Sequence, residues 1–311
     1  MILTVTLNAA VDVTYRLDRI QQRGSNRVQS AAQRAGGKGV NVSRVLSGLG
    51  HPSTVTGLAG GRNGQVLRED LAASGLPERL LPIEAESRRT IAVVEQDEGD
   101  TTIFLEPGPV VSATEWRAFL SLYGALAQEA SAVVLSGSLP LGVPRNAYAV
   151  LIRLARIHGI PVVLDADGDA LRSALAAKPT LIKPNAHELE RATGTGNPLA
   201  GARALMSAGA QAVVASLGPD GMLACTPEGI WQASPPERIA GNPTGAGDAA
   251  VAALTVGLVT GTPWPERLRQ AVALSAAAVL APLAGEVDRA AFERLLPLVT
   301  VRHIRGTAAA R

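Results

Sequence analysis

Short runs of β-branched and aliphatic residues alternate along this chain with longer stretches whose apolar positions recur at helical spacing. The runs 2–7, 53–58, 132–135, 161–164, 180–183 and 211–216 are apolar without a polar face, which predicts short strands buried on both sides. Between them, 40–49, 64–73, 113–127, 145–158 and 200–208 predict helices, so the order is βαβα almost throughout. That order is the pattern of a parallel sheet covered by helices, an α/β fold of three layers. Two segments depart from it. Residues 11–35 and 89–106 show polar/apolar alternation, as in Thr90-Ile91-Ala92-Val93-Val94-Glu95 and Thr101-Thr102-Ile103-Phe104-Leu105, and predict strands outside the main core. Paired with one another, they would make a small β-sheet lid over a site at the sheet edge. The expectation is a single domain over 1–311, with lid segments at about 10–36 and 87–110 inserted in an α/β core.

Composition changes the picture mainly by exclusion. A chain of 311 residues with 47% hydrophobic and 18% charged residues can bury one large core. Its net charge of +2 provides no broad basic field, which argues against a nucleic-acid partner. Arg302, His303, Arg305 and Arg311 read as a short, solvated basic end. The one cysteine, Cys225, excludes an internal disulfide or a cysteine-rich metal site and suits a reducing cytoplasm. The first residues read as a strand with no charged leader, and Gly, Pro or charge breaks the longest apolar stretches, so no membrane partner is expected.

Candidate chemistry begins at Gly241-Asn242-Pro243-Thr244-Gly245-Ala246-Gly247-Asp248, followed at once by the helix-forming run 249–254. Small residues at Gly245, Ala246 and Gly247 let backbone amides approach a ligand, and the helix N-terminus adds free donors and its positive dipole end. Asp248 would repel a resting anion there. It therefore either caps the helix or accepts a proton from a hydroxyl that attacks a phosphoryl group. A second cluster, Gly36-Gly37-Lys38-Gly39-Val40-Asn41-Val42, lacks the spacing of a Walker-type phosphate loop. It is either a flexible turn with a surface lysine or a grip on ligand hydroxyls in which Asn41 both donates and accepts. A third, Lys183-Pro184-Asn185-Ala186-His187-Glu188, follows a predicted strand and opens a helix. Asn185 and Glu188 share one face, as a capping box or as oxygen ligands for hydrated magnesium.

Taken in order, these clusters, with Leu135-Ser136-Gly137-Ser138-Leu139-Pro140 and Ser216-Leu217-Gly218-Pro219-Asp220-Gly221, resemble the ribokinase-like sugar kinases, and within them the phosphofructokinase-B group. The likeness spans nearly the whole chain. The segments 4–12 and Ser87-Arg88-Arg89-Thr90 resemble the branch that acts on phosphorylated ketohexoses: 1-phosphofructokinase, tagatose-6-phosphate kinase and the minor 6-phosphofructokinase.

The resemblance implies a ribokinase-like three-layer α/β/α core with a β-sheet lid, and an ATP- and Mg²⁺-dependent phosphotransferase acting on an alcohol group. It implies Asp248 as the group that takes the hydroxyl proton, with the amides of Gly245, Ala246 and Gly247 stabilising the transferring phosphoryl group. At a helix N-terminus Asp248 is expected to stay ionised and to be a weak base. Asp12, Gly37 and Asn41 would hold sugar hydroxyls. Arg88, with Arg27 and Lys38, would grip the phosphate already on the substrate. Asn185 and Glu188 would organise Mg²⁺, and Lys183, Ser216, Gly218 and Gly221 would line the nucleotide pocket. The implied reaction is phosphorylation of fructose 1-phosphate to fructose 1,6-bisphosphate, with tagatose 6-phosphate and fructose 6-phosphate as alternative substrates and a homodimer joined through the lids.

Three positions depart from the family pattern. Ala9 stands where proline usually follows the asparagine, which loosens a turn. Asp167 adds a carboxylate where relatives carry a hydroxyl residue, unfavourable beside phosphates unless bridged or turned to solvent. Asn242-Pro243 replaces a commoner acidic residue, as in the tagatose-6-phosphate-type branch, which weakens the choice of 1-phosphofructokinase. Two other readings compete. Gly245-Ala246-Gly247-Asp248-Ala249-Ala250 formally fits a dinucleotide fingerprint, but no strand is expected after its helix before Pro263-Trp264-Pro265. A non-catalytic sugar-binding protein of the same fold would keep the binding residues without turnover.

Overall fold

The computed structural model describes residues 1–96 and 101–304. Residues 97–100 of the second lid segment and Arg305 and Arg311 of the basic end lie outside the described residues. In chain order the first half contains β1 (Ile2–Thr6), β2 (Ala10–Leu17), β3 (Ser30–Gly36), α1 (Lys38–Gly48), β4 (Ser53–Gly60), α2 (Gly61–Ala73), β5 (Glu78–Ile83), β6 (Arg88–Glu95), β7 (Thr101–Leu105) and α3 (Ala113–Gln128). Next come β8 (Ala132–Ser136), α4 (Ala147–Ile157), β9 (Val162–Asp165), α5 (Gly168–Leu175), β10 (Leu181–Ile182), α6 (Ala186–Thr193), α7 (Pro198–Ser207) and β11 (Val213–Ser216). The chain ends with β12 (Met222–Thr226), β13 (Gly229–Ser234), α8 (Ala246–Val259), α9 (Trp264–Val279), α10 (Arg289–Leu295) and β14 (Thr300–His303).

The main sheet has ten strands in the order β14-β13-β12-β11-β10-β9-β8-β1-β4-β5. From β5 to β11 every pair is parallel, and β12, β13 and β14 close that edge antiparallel. The apolar runs are unbroken because each strand feeds two cores. Leu3, Val5, Val133, Leu135, Val162 and Leu164 point to the layer of α3 to α7, while Ile2, Val134 and Val163 point to α1, α8 and α9. Helix α8 is buried from Asp248 through Thr255 because it lies between the sheet and α9.

The segments outside the βαβα rhythm pair as a second sheet, β3-β2-β6-β7, in which β2 and β6 run parallel and bring residues 10–17 beside 88–95. The basic end is not simply a solvated tail. Arg302 and His303 belong to edge strand β14, opposite Gln232 and Trp231, because Val301 packs against the core and fixes the register. Helix α8 is followed by α9 rather than by a strand, so the βαβ unit that a dinucleotide fingerprint needs is absent there. Among the described residues no helix is long and apolar enough to cross a membrane.

Candidate active site

A cavity of about 680 Å³ opens above the carboxyl ends of β1, β8 and β9, lined by Thr6, Ser136 and Asp167 from those strand ends and by Lys38, Arg88 and Glu188 from elsewhere. The start of α1 supplies Gly37 and Lys38 to this lining, whereas the residues that open α8 are not part of it and stand behind Lys38, whose charge reaches Asp248. Helix α1 begins after Gly37, whose φ of 114° suits glycine and where a Cβ would meet Thr6 Cγ2 at 2.7 Å. Helix α8 begins after Gly245, in the left-handed region at φ 87° and pressed so closely on Ala284 that a Cβ would fall 2.9 Å from its Cα. Neither N-terminus has a side-chain cap. Without caps, first-turn amides and the positive dipole ends stay available to a ligand, although the Ala246 amide closes a turn on the Pro243 carbonyl at 3.2 Å.

Asp248 sits in the first turn of α8, and Asn41 Nδ2 donates to its Oδ2 at 2.8 Å. Burial pushes the Asp248 carboxyl up to about 7. The Asp165 charge adds to this, and the Asn41 hydrogen bond and the charges of Lys38 and Lys183 oppose it. The helix-dipole argument for a weak base therefore does not hold in this setting, because desolvation outweighs the dipole. A carboxylate poised near neutrality is suited to accept a proton.

Asp165, at the end of β9 and 1% exposed, holds two lysines. Lys38 Nζ donates to both of its oxygens at 3.2 Å, and Lys183 Nζ lies 3.8 Å from Oδ1. Burial alone would lower the Lys38 pKa, but the carboxylates of Asp165, Glu188 and Asp248 together raise it. Lys183 Nζ also approaches Gly247, within 3.4 Å of where a Cβ would stand there. The lysines are thus aimed at the start of α8 by a carboxylate that the motifs do not single out.

Asn185 caps α6 and forms a reciprocal box with Glu188, whose Oε2 accepts from the Asn185 amide at 2.8 Å while Asn185 Oδ1 accepts from the Glu188 amide at 2.9 Å. Capping is therefore the observed role, and it is compatible with a ligand role for Glu188. Glu188 lines the cavity, and one oxygen stays outside the box. Among the described residues no group of three His, Cys, Asp or Glu side chains could enclose a metal. Magnesium needs only one or two protein oxygens beside phosphate and water, so Glu188 fits such an ion.

Asp12, on β2, stands opposite Arg34 of β3 and Thr90 of β6. Burial pushes its carboxyl up to about 6, against the hydrogen bond with Thr90 and the charges of Arg88, Arg34 and Arg44. Arg88 Nε donates to the Asn8 carbonyl at 3.2 Å, and Asn8 Nδ2 donates to Ser138 Oγ at 3.0 Å. Arg27 is not brought to the cavity: it is exposed on the loop between β2 and β3. Ser216 pairs with Asn185 across an isolated bridge, and Gly218 (φ 61°) and Gly221 (φ 93°) form the turn that follows it. Asp167 and Asp169 are both neutralised at the cavity mouth, the first by Arg191 and the second by Arg172 at 2.6 Å and Arg145 at 3.5 Å.

Among the described residues five side-chain polar atoms are buried without a partner, and three of them, Thr6 Oγ1, Asn8 Oδ1 and Ser136 Oγ, belong to residues that line this cavity. Unpaired polar groups gathered at one wall are the mark of a surface built for a polar ligand. The sequence reading assigns them no role, although each ends or follows a predicted strand. That position at the carboxyl end of the sheet is the signal that could have found them.

The family profile described as pfkB family carbohydrate kinase matches residues 5–290. Phosphofructokinase-2 from Escherichia coli, in complex with fructose-6-phosphate, is 30% identical over 95% of this chain and 98% of that one, with a TM-score of 0.86. The same protein in a tetrameric inhibited form superposes with a TM-score of 0.88. A Thermotoga maritima protein described as a possible 1-phosphofructokinase is 28% identical over 98% of this chain and 99% of its own, with a TM-score of 0.89. An Arabidopsis thaliana ribokinase complexed with ribose and ATP, 21% identical over 95% and 98% of the two chains at a TM-score of 0.73, shares the fold.

Proposed function

Because the chain belongs to the pfkB family of carbohydrate kinases, phosphotransferases with an alcohol group as acceptor, we propose that it phosphorylates a ketohexose monophosphate with ATP, fructose 1-phosphate at its 6-hydroxyl. One observation carries the reading. A buried carboxylate, Asp248, held by Asn41 Nδ2 at 2.8 Å in the first turn of an uncapped helix, lies within reach of the charge of Lys38, which lines the cavity together with Arg88.

In this reading Asp248 takes the proton of the sugar hydroxyl as its oxygen bonds to the terminal phosphorus and the phosphoanhydride bond breaks, releasing ADP. The amides of Gly245 and Gly247 receive the charge on the transferring group, joined by that of Ala246 as it leaves its 3.2 Å turn bond to the Pro243 carbonyl, with Lys183 beside them. Asp12, Gly37 and Asn41 orient the sugar. Asn41 spends its amide on Asp248, which fixes the carboxylate and leaves the Asn41 oxygen for a hydroxyl. Arg88 and Lys38 hold the phosphate that the substrate already carries. Ser216, Gly218 and Gly221 form the nucleotide side. Bound magnesium, held through Glu188 with Asn185 capping behind it, would neutralise phosphate charge.

The test is ADP release with fructose 1-phosphate, tagatose 6-phosphate, fructose 6-phosphate and unphosphorylated fructose. Fructose 1-phosphate is expected to have the highest kcat/KM. A higher value for fructose 6-phosphate would move the protein to the activity named for its Escherichia coli neighbour, and preference for fructose would remove the phosphate grip. Binding without ADP release would leave a sugar-binding protein.

The small sheet serves as the lid in this proposal, and it joins two copies of the chain. Its edge strand β7 leaves Ile103, Phe104 and Leu105 exposed by 49%, 55% and 69%. Such a strand is a liability unless covered. The double substitution Ile103→Asp with Leu105→Asp is expected to convert a dimer to a monomer in sedimentation velocity. A parent protein that sediments as a monomer at every concentration would remove the lid interface.

A further inference from the structure

A second cavity, of about 450 Å³, lies between α1, α9, α10 and the loop 281–288, with Arg34 of β3 in its lining. Its floor is apolar, from Leu49, Leu76, Leu274, Val287 and Phe292, and its wall carries Arg34 and Arg44. The two guanidiniums differ in how firmly they are held. Arg44 pairs with Asp70 and donates to Ser74 Oγ at 2.8 Å, which fixes it as structure. Arg34 has one ion pair among the described residues, to Glu286 at 3.4 Å, and Glu286 is 45% exposed. Arg289 and Glu293 pair with each other at the exposed rim, 3.4 Å apart.

We propose that this cavity binds a small amphipathic anion, an apolar or aromatic body bearing a phosphonate, phosphate or carboxylate, with the body on the Leu274–Phe292 floor and the anion taking Arg34 from Glu286. A charged head with two or three oxygens matches a guanidinium better than one long contact from a half-exposed carboxylate. The lining combines six apolar side chains with five charged ones, a mixture that suits a ligand with an apolar body and a charged head.

Occupancy reaches Asp12, Asn41 and the start of α8 by two routes. Arg34 stands across the strand pair from Asp12 and contributes to its electrostatic setting. Glu286 follows Gly285, where a Cβ would fall 3.1 Å from the Cα of Asn41, and Ala284 bears on Gly245. A ligand that releases Glu286 therefore loosens the loop packed behind both Asn41 and the start of α8. The proposal is independent of which sugar phosphate the first cavity takes.

Phenylphosphonate, titrated calorimetrically into the full chain, tests it. Saturable one-to-one binding is expected, with inorganic phosphate and benzyl alcohol each much weaker. Arg34→Gln is expected to weaken phenylphosphonate about tenfold, the scale of one charge-assisted hydrogen bond. Glu286→Gln is expected to tighten it, because the competing carboxylate is gone. Gly48→Phe fills the cavity from its wall without backbone conflict, since a Cβ at Gly48 meets nothing within 4 Å, and is expected to abolish binding. Arg88→Gln in the first cavity is expected to leave binding unchanged. Loss of binding in Arg88→Gln with retention in Gly48→Phe would put the ligand in the first cavity and overturn the proposal. So would weaker binding in Glu286→Gln, or no saturable binding at all.

Discussion

Asp248→Asn is expected to lower turnover by about 10²-fold or more, the scale of a lost general base, while nucleotide affinity stays near that of the parent. The amide keeps the shape of the carboxylate and its contact with Asn41, but it has no proton-accepting charge. The same assignment sets the pH profile. With the carboxyl pushed up to about 7, the protonated form dominates below neutrality, so parent turnover is expected to fall as pH drops through 7 and to level off above it. In Asp248→Asn that acid limb should vanish. Stability runs the opposite way. A folded pKa raised above the ordinary 3.8 of an aspartate means that the group's contribution is full below that value and is lost as pH rises through about 7. Asp248→Asn, neutral throughout, should therefore melt no lower than the parent at pH 8. Turnover within tenfold of the parent, or an acid limb that persists in the variant, would refute the assignment.

The turn into α8 was legible because its information is local: Gly245, Ala246, Gly247 and Asp248 are contiguous, and a helix must follow them. The same holds for Gly37 at the start of α1 and for six of the seven parallel strands, whose unbroken apolar runs follow from burial on both faces, whereas the half-buried edge strand β5 has no such run. The paired segments of the small sheet were legible from their alternation, although the parallel registration of β2 with β6 is a long-range fact. What could not be read is what depends on distance in sequence. Asp165 lies 127 residues from Lys38, and neither spacing nor motif announces that one buried carboxylate aims both lysines. The raised Asp248 pKa has the same origin, since desolvation and the Asp165 charge are properties of the packed core. Strands β12 and β13 escaped because a tight hairpin at Pro227-Glu228 turns an α/β chain antiparallel at its edge. Arg27 went the other way: its charge fits a phosphate grip, and its loop places it in solvent.

Asp165→Asn is expected to have the largest effect on the fold, a loss of about 3 to 5 kcal/mol in unfolding free energy, because it leaves buried lysine charge without its partner. Lys183, whose side chain is 4% exposed, cannot turn to water, whereas Lys38 opens onto the cavity. The cost should therefore fall mainly on Lys183. Adding Lys183→Met to Asp165→Asn should recover much of the lost stability, since it removes the stranded charge rather than restoring the pair. Chemical denaturation of the parent, both single variants and the double variant measures this coupling directly. The kinetics offer a second, independent reading. The Asp165 charge is one of the two causes that raise the Asp248 pKa, so in Asp165→Asn the acid limb of the turnover profile should move to lower pH, if enough folded protein remains at low temperature. Simple loss of structure would lower the amplitude and leave the limb where it was. An unchanged denaturation midpoint in Asp165→Asn, or a double variant no more stable than that single one, would show that the lysines are held by something other than this carboxylate.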